Sequence, residues 1–102
     1  MDLKPGTRLR SAVCTTEVIV VKPPAGEITL TCGGAEMAPV GAEVSGGSPA
    51  SGLDGGTELG KRYTSTTDDA LEVLVTKAGA GTLADGDAPL VLKQARALPS
   101  SD

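Results

Sequence analysis

The chain has 102 residues and contains no histidine, no phenylalanine and no tryptophan; its single aromatic residue is Tyr63. The absence of histidine removes imidazole as a metal ligand and excludes the Ser–His and Cys–His pairs of nucleophilic catalysis. No cofactor fingerprint or cluster of acids replaces them, so we predict that the chain is not an enzyme. The core must be built from aliphatic side chains and will be thin, and small domains of this kind often need a staple or a partner.

Basic residues are also few. Nine Lys and Arg face thirteen Asp and Glu, which gives a formal net charge of −4. Nucleic-acid binding depends on cationic side chains that neutralise phosphates, so we expect no nucleic-acid partner. No apolar run is long enough to cross a bilayer, and the N-terminal sequence MDLKPGTRLR lacks the apolar region of a signal peptide. The prediction is a cytoplasmic protein with no membrane contact.

The most informative feature that is present is an internal repeat. Residues 17–26 read EVIVVKPPAG and residues 72–81 read EVLVTKAGAG, with six of ten positions identical. Chance would give roughly one identity in ten. The similarity extends upstream to 6–11 and 60–65, and downstream to 33–37 and 86–90, with small gaps. Because a unit this short cannot bury its own apolar face, the two copies are expected to pack together.

Short β-strands are predicted in both copies. In the first copy the β-branched run Glu17–Val21 and the alternating run Glu27–Thr31 predict two strands joined as a hairpin by a Pro-Pro-Ala-Gly loop. Cys32-Gly33-Gly34 predicts a tight turn after them. The second copy predicts strands at 71–76, 82–84 and 90–93, with a turn at 85–87. The tail 94–102 is expected to be loose at its end.

Three segments follow from this pattern. Residues 1–40 form the first module and carry both cysteines. Residues 41–58 hold six Gly and three Ser in 18 positions, which predicts a linker or a long surface loop. This segment could be a simple tether or a mobile loop that touches a partner. Residues 59–102 form the second module, without cysteine, and the C-terminal tail.

The two cysteines are the candidate site. Cys14 comes just before the first strand of the predicted hairpin and Cys32 just after the second. The start of one strand and the end of the other are neighbours in an antiparallel hairpin, so the sulfurs are expected to lie close together.

The segment 9–37 resembles desulforedoxin and the N-terminal domain of desulfoferrodoxin, which are rubredoxin-like β modules that hold one iron with four cysteines. Ser11-Ala12-Val13-Cys14 matches the C-x-x-C turn of that family. Thr31-Cys32-Gly33-Gly34 matches its adjacent cysteine pair and glycine, and Met37 its methionine. Ser11 and Thr31 stand at two of the four ligand positions, so a four-thiolate centre cannot form in this copy. In the second copy Asp68 or Asp69 and Asp85 fall near the two cysteine positions.

Desulforedoxin is a homodimer, and the tandem repeat is similar to a covalent version of it. The resemblance therefore implies an all-β fold in which two rubredoxin/desulforedoxin-like β-hairpin modules pack with pseudo-twofold symmetry. The histidine-ligated second centre of desulfoferrodoxin is excluded, because this chain has no histidine.

Three interpretations of Cys14 and Cys32 remain open at this level. Both are inert thiols on an eroded site, or they form a structural or redox-active disulfide, or they bind Fe or Zn. In the metal case, two chains would share four thiolates, or Ser11, Thr31 or water would complete a weaker site. A cytoplasmic cysteine pair is more often a metal or redox site than a structural disulfide.

The function expected first is that of a small non-catalytic accessory or protein-interaction protein on a degenerate scaffold, with no cofactor. A protein partner or self-association would stabilise it. The alternative is metal binding with electron transfer, or a redox disulfide, through Cys14 and Cys32.

Overall fold

The computed structural model describes residues 1–44 and 46–93, and within these ranges the chain forms ten β-strands and no helix. The all-β prediction is therefore confirmed. The first five strands are β1 Arg8–Arg10, β2 Glu17–Lys22, β3 Leu30–Cys32, β4 Ala35–Glu36 and β5 Ala38–Pro39. The other five are β6 Arg62–Thr64, β7 Glu72–Lys77, β8 Leu83–Asp85, β9 Ala88–Pro89 and β10 Val91–Leu92.

The strands form two antiparallel sheets. One has six strands in the order β10-β6-β7-β2-β1-β5, and the other has four in the order β4-β3-β8-β9. The centre of each sheet joins the two halves of the chain. β2 pairs with β7, with Val18 opposite Val75 and Val20 opposite Val73. β3 pairs with β8, with Cys32 opposite Leu83.

The hairpin predicted between Glu17–Val21 and Glu27–Thr31 is wrong. β2 lies between β1 and β7 in the six-stranded sheet, so both of its edges are already hydrogen-bonded. The second strand begins only at Leu30 and belongs to the other sheet. Pro23 and Pro24 lack a backbone N–H group and therefore cannot continue a ladder, and the chain after them crosses to the second sheet.

The core is mainly aliphatic, with side chains from both sheets and the buried Tyr63. Along β2 and β7 alternate positions are buried, which places Val18, Val20, Val73 and Val75 at 1% exposure or less. This is the period of two that a strand with one buried face requires. The same cluster includes residues of the four-stranded sheet and of the loops, namely Leu30, Cys32, Met37, Leu71, Leu83 and Leu90.

The predicted turns are present. Gly33 and Gly34 connect β3 to β4 with φ angles of 67° and 89°, a left-handed conformation that glycine adopts without steric cost. Gly86 serves the turn between β8 and β9 with a φ of 62°. The backbone conformation of these turns therefore favours glycine directly after Cys32 and directly after Asp85.

The described part of the 41–58 segment is hydrogen-bonded to the body of the protein. The Ala50 N–H group donates to the Gly33 carbonyl at 2.9 Å, and the Leu53 carbonyl accepts from the Thr82 N–H group at 2.9 Å. The Thr57 N–H group donates to the Gly79 carbonyl at 3.0 Å. We name residues 46–58 the strap, because they connect the turn after Cys32 with the loop before β8.

No helix in the described parts of the chain is long and apolar enough to cross a membrane. The predicted tail 94–102 lies outside the described residues.

Candidate functional site

The site begins at a turn between β1 and β2 that the Ser11 side chain holds. Ser11 is 1% exposed, and its Oγ accepts hydrogen bonds from the N–H groups of Val13 and Cys14, both at 3.1 Å. A serine hydroxyl that accepts from backbone groups two and three residues later stabilises a turn of this kind. The turn places the Cys14 sulfur beside the hydroxyl, at 3.3 Å from Ser11 Oγ.

Four polar or sulfur groups surround the Cys14 sulfur. Besides Ser11 Oγ, the Thr16 hydroxyl lies at 3.3 Å and the Gly81 N–H group donates to the sulfur at 3.3 Å. The Cys32 sulfur lies at 3.7 Å. The sequence prediction that the two cysteines meet is therefore right, although the hairpin from which it was drawn does not exist.

A second threonine, Thr57 of the strap, is in contact with Thr16. The hydroxyl oxygens of Thr16 and Thr57 lie 3.0 Å apart. The Thr57 hydroxyl also accepts from the Gly79 N–H group at 3.0 Å and lies 3.4 Å from the Gly79 carbonyl. When the Thr57 hydroxyl donates to the Thr16 hydroxyl, the single Thr16 proton is available to the Cys14 sulfur.

This environment gives the two thiols different acidities. Partial burial raises the pKa of Cys14, but hydrogen bonds to Ser11, Thr16 and Gly81 favour the thiolate, and the pKa falls to about 7. Burial raises the pKa of Cys32 to about 11, with a further contribution from the neighbouring Cys14 charge. At neutral pH about half of Cys14 is therefore thiolate, whereas Cys32 is a protonated thiol.

Access to the two sulfurs also differs. Cys32 is 0% exposed, whereas Cys14 is half-buried. A Cβ atom on Gly81 would lie 2.9 Å from the Cys32 sulfur and 3.2 Å from the Cys14 sulfur, and one on Gly79 would lie 3.0 Å from the Cys14 sulfur. The loop between β7 and β8 can therefore cover the sulfurs only because these two positions have no side chain.

Thr31, which the sequence offered as a further ligand, points away from the site. Its hydroxyl donates to the Gly86 carbonyl at 2.7 Å and lies 3.3 Å from the Ala84 carbonyl, on the other side of β3 from Cys32. Thr16 takes the place beside the sulfurs that Thr31 was expected to have. Sequence reasoning missed Thr16, Thr57, Gly79 and Gly81, and for the two glycines the available signal was the Gly-Ala-Gly run in the second copy's loop.

The residues present do not fit a four-thiolate iron centre. The described ranges 1–44 and 46–93 hold no group of three or more His, Cys, Asp or Glu side chains suited to a metal ion. The oxygen groups that lie beside the Cys14 sulfur are the neutral hydroxyls of Ser11 and Thr16, and such hydroxyls are weak ligands for Fe or Zn. Sharing of four thiolates between two chains is disfavoured by the complete burial of Cys32.

The corresponding place in the second copy has oxygen atoms instead of sulfurs. Ser65 Oγ accepts from the N–H groups of Thr67 and Asp68, as Ser11 does in the first copy. The Asp68 carboxylate accepts from the N–H groups of Ala25 and Gly26 at 3.0 and 2.9 Å, and these two donors lower its pKa. The hydroxyls of Ser65 and Thr67 donate to Asp85. Asp68 and Asp85 thus stand at the predicted positions and are used in internal hydrogen bonds.

A small cavity opens beside Cys14. It has a volume of about 100 Å³ and is lined by Arg10, Cys14, Thr15, Thr16, Glu17 and Lys77. Arg10 and Lys77 are cations and Glu17 is an anion, so the side chains around the Cys14 sulfur have an excess of one positive charge, which the thiolate offsets when Cys14 is ionised.

Comparison with known protein-family models gives no match for this chain, and neither the curated proteins nor the solved structures give a significant match.

Proposed function

We propose that the protein is a small redox protein in which Cys14 and Cys32 cycle between a dithiol and a disulfide. The observation that carries the proposal is the 3.7 Å separation of one accessible sulfur and one buried sulfur with different acidities. Cys14 and Cys32 are free cysteines, and because a disulfide has an S–S distance of about 2.05 Å, their sulfurs need to approach by less than 2 Å to bond.

The two thiols have different roles in such a cycle. The Cys14 thiolate attacks an external disulfide and releases one thiol of it, because a thiol with a pKa near ambient pH is the best attacking group. Cys32 then loses its proton and attacks the Cys14 sulfur, which forms the internal disulfide and releases the second external thiol. Starting from the Cys14 thiolate, the protein loses two electrons and the Cys32 proton, and the external disulfide takes up these electrons and two protons, one of them from solvent, to become two thiols.

Differential alkylation tests the proposal. Iodoacetamide is expected to modify Cys14 in the Cys32→Ser variant with a half-maximal rate near pH 7, and to modify Cys32 in the Cys14→Ser variant only slowly. Equilibration with oxidised dithiothreitol is expected to give an intramolecular disulfide, detected as loss of two hydrogen masses. Equal reactivity of the two thiols, or oxidation only to intermolecular dimers, would contradict the redox pair. Circular dichroism verifies that both variants are folded.

Zinc binding is a second candidate, favoured by one distance. Two thiolates bound to a tetrahedral zinc ion at about 2.3 Å are about 3.8 Å apart, close to the observed 3.7 Å. Cys14 and Cys32 would hold the ion, and solvent or the weakly binding hydroxyls of Ser11 and Thr16 would complete a site of lower affinity than a four-cysteine site. Zinc would supply structural stability there.

Native mass spectrometry with added zinc separates the two candidates. A zinc protein is expected to bind one ion per chain, to lose it in Cys14→Ser, and to gain thermal stability on binding. A redox pair without a metal role is expected to show no ion retained at micromolar free zinc and no change in melting temperature.

We also infer that the two copies are duplicated desulforedoxin-like modules related by a pseudo-twofold axis. The strands of the two copies correspond in pairs, from β1 with β6 and β2 with β7 to β5 with β10. When each strand is exchanged for its counterpart, the strand order of each sheet is reversed and otherwise unchanged, which supports the axis. Counterpart strands also have the same lengths. The loops are exchanged in the same way, because Gly81 contacts Cys14 and Gly26 contacts Asp68.

The accessory role, with a protein partner or a second copy of the chain, stays a prediction. Some support comes from exposed apolar side chains at both edges of the six-stranded sheet, Val40 after β5 and Val91 and Leu92 in β10, at 38–46% exposure. Sedimentation of the purified protein would test self-association. The prediction that the chain is not an enzyme also stays open to test.

A further inference from the structure

We propose that the cavity beside Cys14 binds a small carboxylate-bearing disulfide and presents its sulfur to Cys14. This inference rests on the redox function proposed above and adds the chemical class of the oxidant. Three observations carry it: the charged side chains that line the cavity, the lack of an ion-pair partner for Arg10 in the described ranges, and the greater exposure of Cys14 than of Cys32.

Arg10 is the cation of the cavity that has no carboxylate partner in the described ranges. Lys77 Nζ lies 3.6 Å from a Glu17 carboxylate oxygen, so these two charges largely offset each other. Arg10 makes no ion pair with any residue in the described ranges, and its Nε is buried without a hydrogen-bond partner there. A guanidinium at the wall of a cavity is suited to a carboxylate, which its terminal N–H groups can bind through two parallel hydrogen bonds.

The fold permits attack on an external disulfide from only one sulfur. Cys32 is completely buried, and its neighbour Gly33 is hydrogen-bonded to both the strap and the loop before β8, through Ala50 and Thr82. Cys14 lines the cavity directly. A small disulfide that enters the cavity therefore meets the Cys14 sulfur first.

The size of the cavity limits the ligand. About 100 Å³ holds a carboxylate with two or three carbon atoms, and the remaining half of the disulfide extends into solvent. Attack by Cys14 forms the Cys14–S–S–R bond and breaks the R–S–S–R bond, so that one R–S⁻ leaves and takes up a proton. Cys32 then attacks the Cys14 sulfur, gives up its proton to solvent and expels the second R–S⁻.

A series of three disulfides of similar size tests the charge preference. The probes are 3,3′-dithiodipropionate with two carboxylates, 2-hydroxyethyl disulfide without charge, and cystamine with two ammonium groups. Rates of oxidation of the reduced protein are divided by the rates for 2-mercaptoethanol, which removes differences in intrinsic reactivity. The normalised rate is expected to be about threefold to tenfold higher for the dianion than for the neutral probe, and lowest for the dication.

Single variants locate the effect. Arg10→Gln is expected to remove most of the preference for the dianion, and Glu17→Gln to increase it. Lys4→Gln is the matched control, because Lys4 is an exposed cation that does not line this cavity. Salt provides a check that needs no variant: higher ionic strength is expected to slow the dianion and to leave the neutral probe unchanged.

The outcomes separate this proposal from the one on which it rests. If the three normalised rates are equal, or if Arg10→Gln keeps the preference, the cavity proposal is overturned while the redox pair stands. If no probe produces a Cys14–Cys32 disulfide, the redox function fails and the cavity proposal fails with it. In Cys32→Ser, a stable mixed disulfide with dithiodipropionate on Cys14, detected by mass, is expected.

Discussion

At the scale of single residues, the site depends as much on two glycines as on the two cysteines. Gly79 and Gly81 allow a backbone loop to approach the sulfurs so closely that the Gly81 N–H group donates to Cys14. Neither glycine has a positive φ, so the reason for glycine here is the lack of space and not the backbone conformation. The repeat offers a matched control in Gly26, the counterpart of Gly81.

Gly81→Ala is expected to destabilise the protein by about 1–3 kcal/mol, because the added methyl group would overlap both sulfurs and the backbone of Gly33. Gly26→Ala is expected to change stability by less than about 1 kcal/mol, since the nearest atom to its Cβ is an Asp68 carboxylate oxygen at an ordinary 3.8 Å. Urea unfolding of both variants measures the difference. Equal losses in the two would show that the crowding at Gly81 relaxes freely.

At the scale of elements, equivalent positions in β2 and β7 have different environments. Both strands begin with glutamate, but Glu72 is 1% exposed and Glu17 is partly exposed. The Glu72 carboxylate pairs with Lys93 and with Arg62, the second at 3.0 Å. The hydrogen bond to Lys93 is the main reason that the pKa of Glu72 lies below its ordinary value of 4.5. The sequence repeat predicts equal roles for the two residues, but only the packing decides which one is buried.

Glu72→Gln is expected to cost about 1–2 kcal/mol of stability at pH 7, less than for a fully buried pair because its two cationic partners are half exposed. The contribution of a carboxylate with a lowered pKa is present above 4.5 and is lost as the pH falls through the folded-state pKa. The difference between wild type and variant should therefore shrink below about pH 4.5 in chemical denaturation. Glu17→Gln is the control and is expected to lose about 0.5 kcal/mol or less; a pH-independent loss for Glu72→Gln would contradict this account.

At the scale of the whole molecule, both halves of the chain contribute strands to both sheets. Each sheet has its centre at a junction between copies, at β2–β7 and at β3–β8. The cluster of buried aliphatic side chains also draws on both copies. The site follows the same principle, since Cys14 and Cys32 come from the first copy and Gly81 from the second.

The two halves are therefore expected not to fold alone. Fragments 1–41 and 42–102 should each give a poorly dispersed amide spectrum by NMR, because each lacks the partner of its most buried strands and is near or below the size at which a core is sufficient. Mixing them is expected to restore dispersed signals. A folded 42–102 fragment would instead show that the second copy is an independent unit.

The sequence by itself determined the composition of the core, the repeat, the two long strands β2 and β7 and the glycine turns, because these depend on local propensity and period. It did not locate β1, β4, β5, β6 and β9, which are only two or three residues long. The sequence also predicted that Cys14 and Cys32 lie close together, although from a hairpin that the structure does not contain. The tertiary structure decided which strands pair, since β-branched runs specify a strand but not its partner. It also determined that Thr31 points away from the sulfurs and that Thr16 lies beside them. Thr57, which is 41 residues from Thr16 in the sequence, contacts Thr16 only in the folded chain. The acidities of the two thiols were decided in the same way, because burial and hydrogen bonds from distant segments exist only in the folded chain.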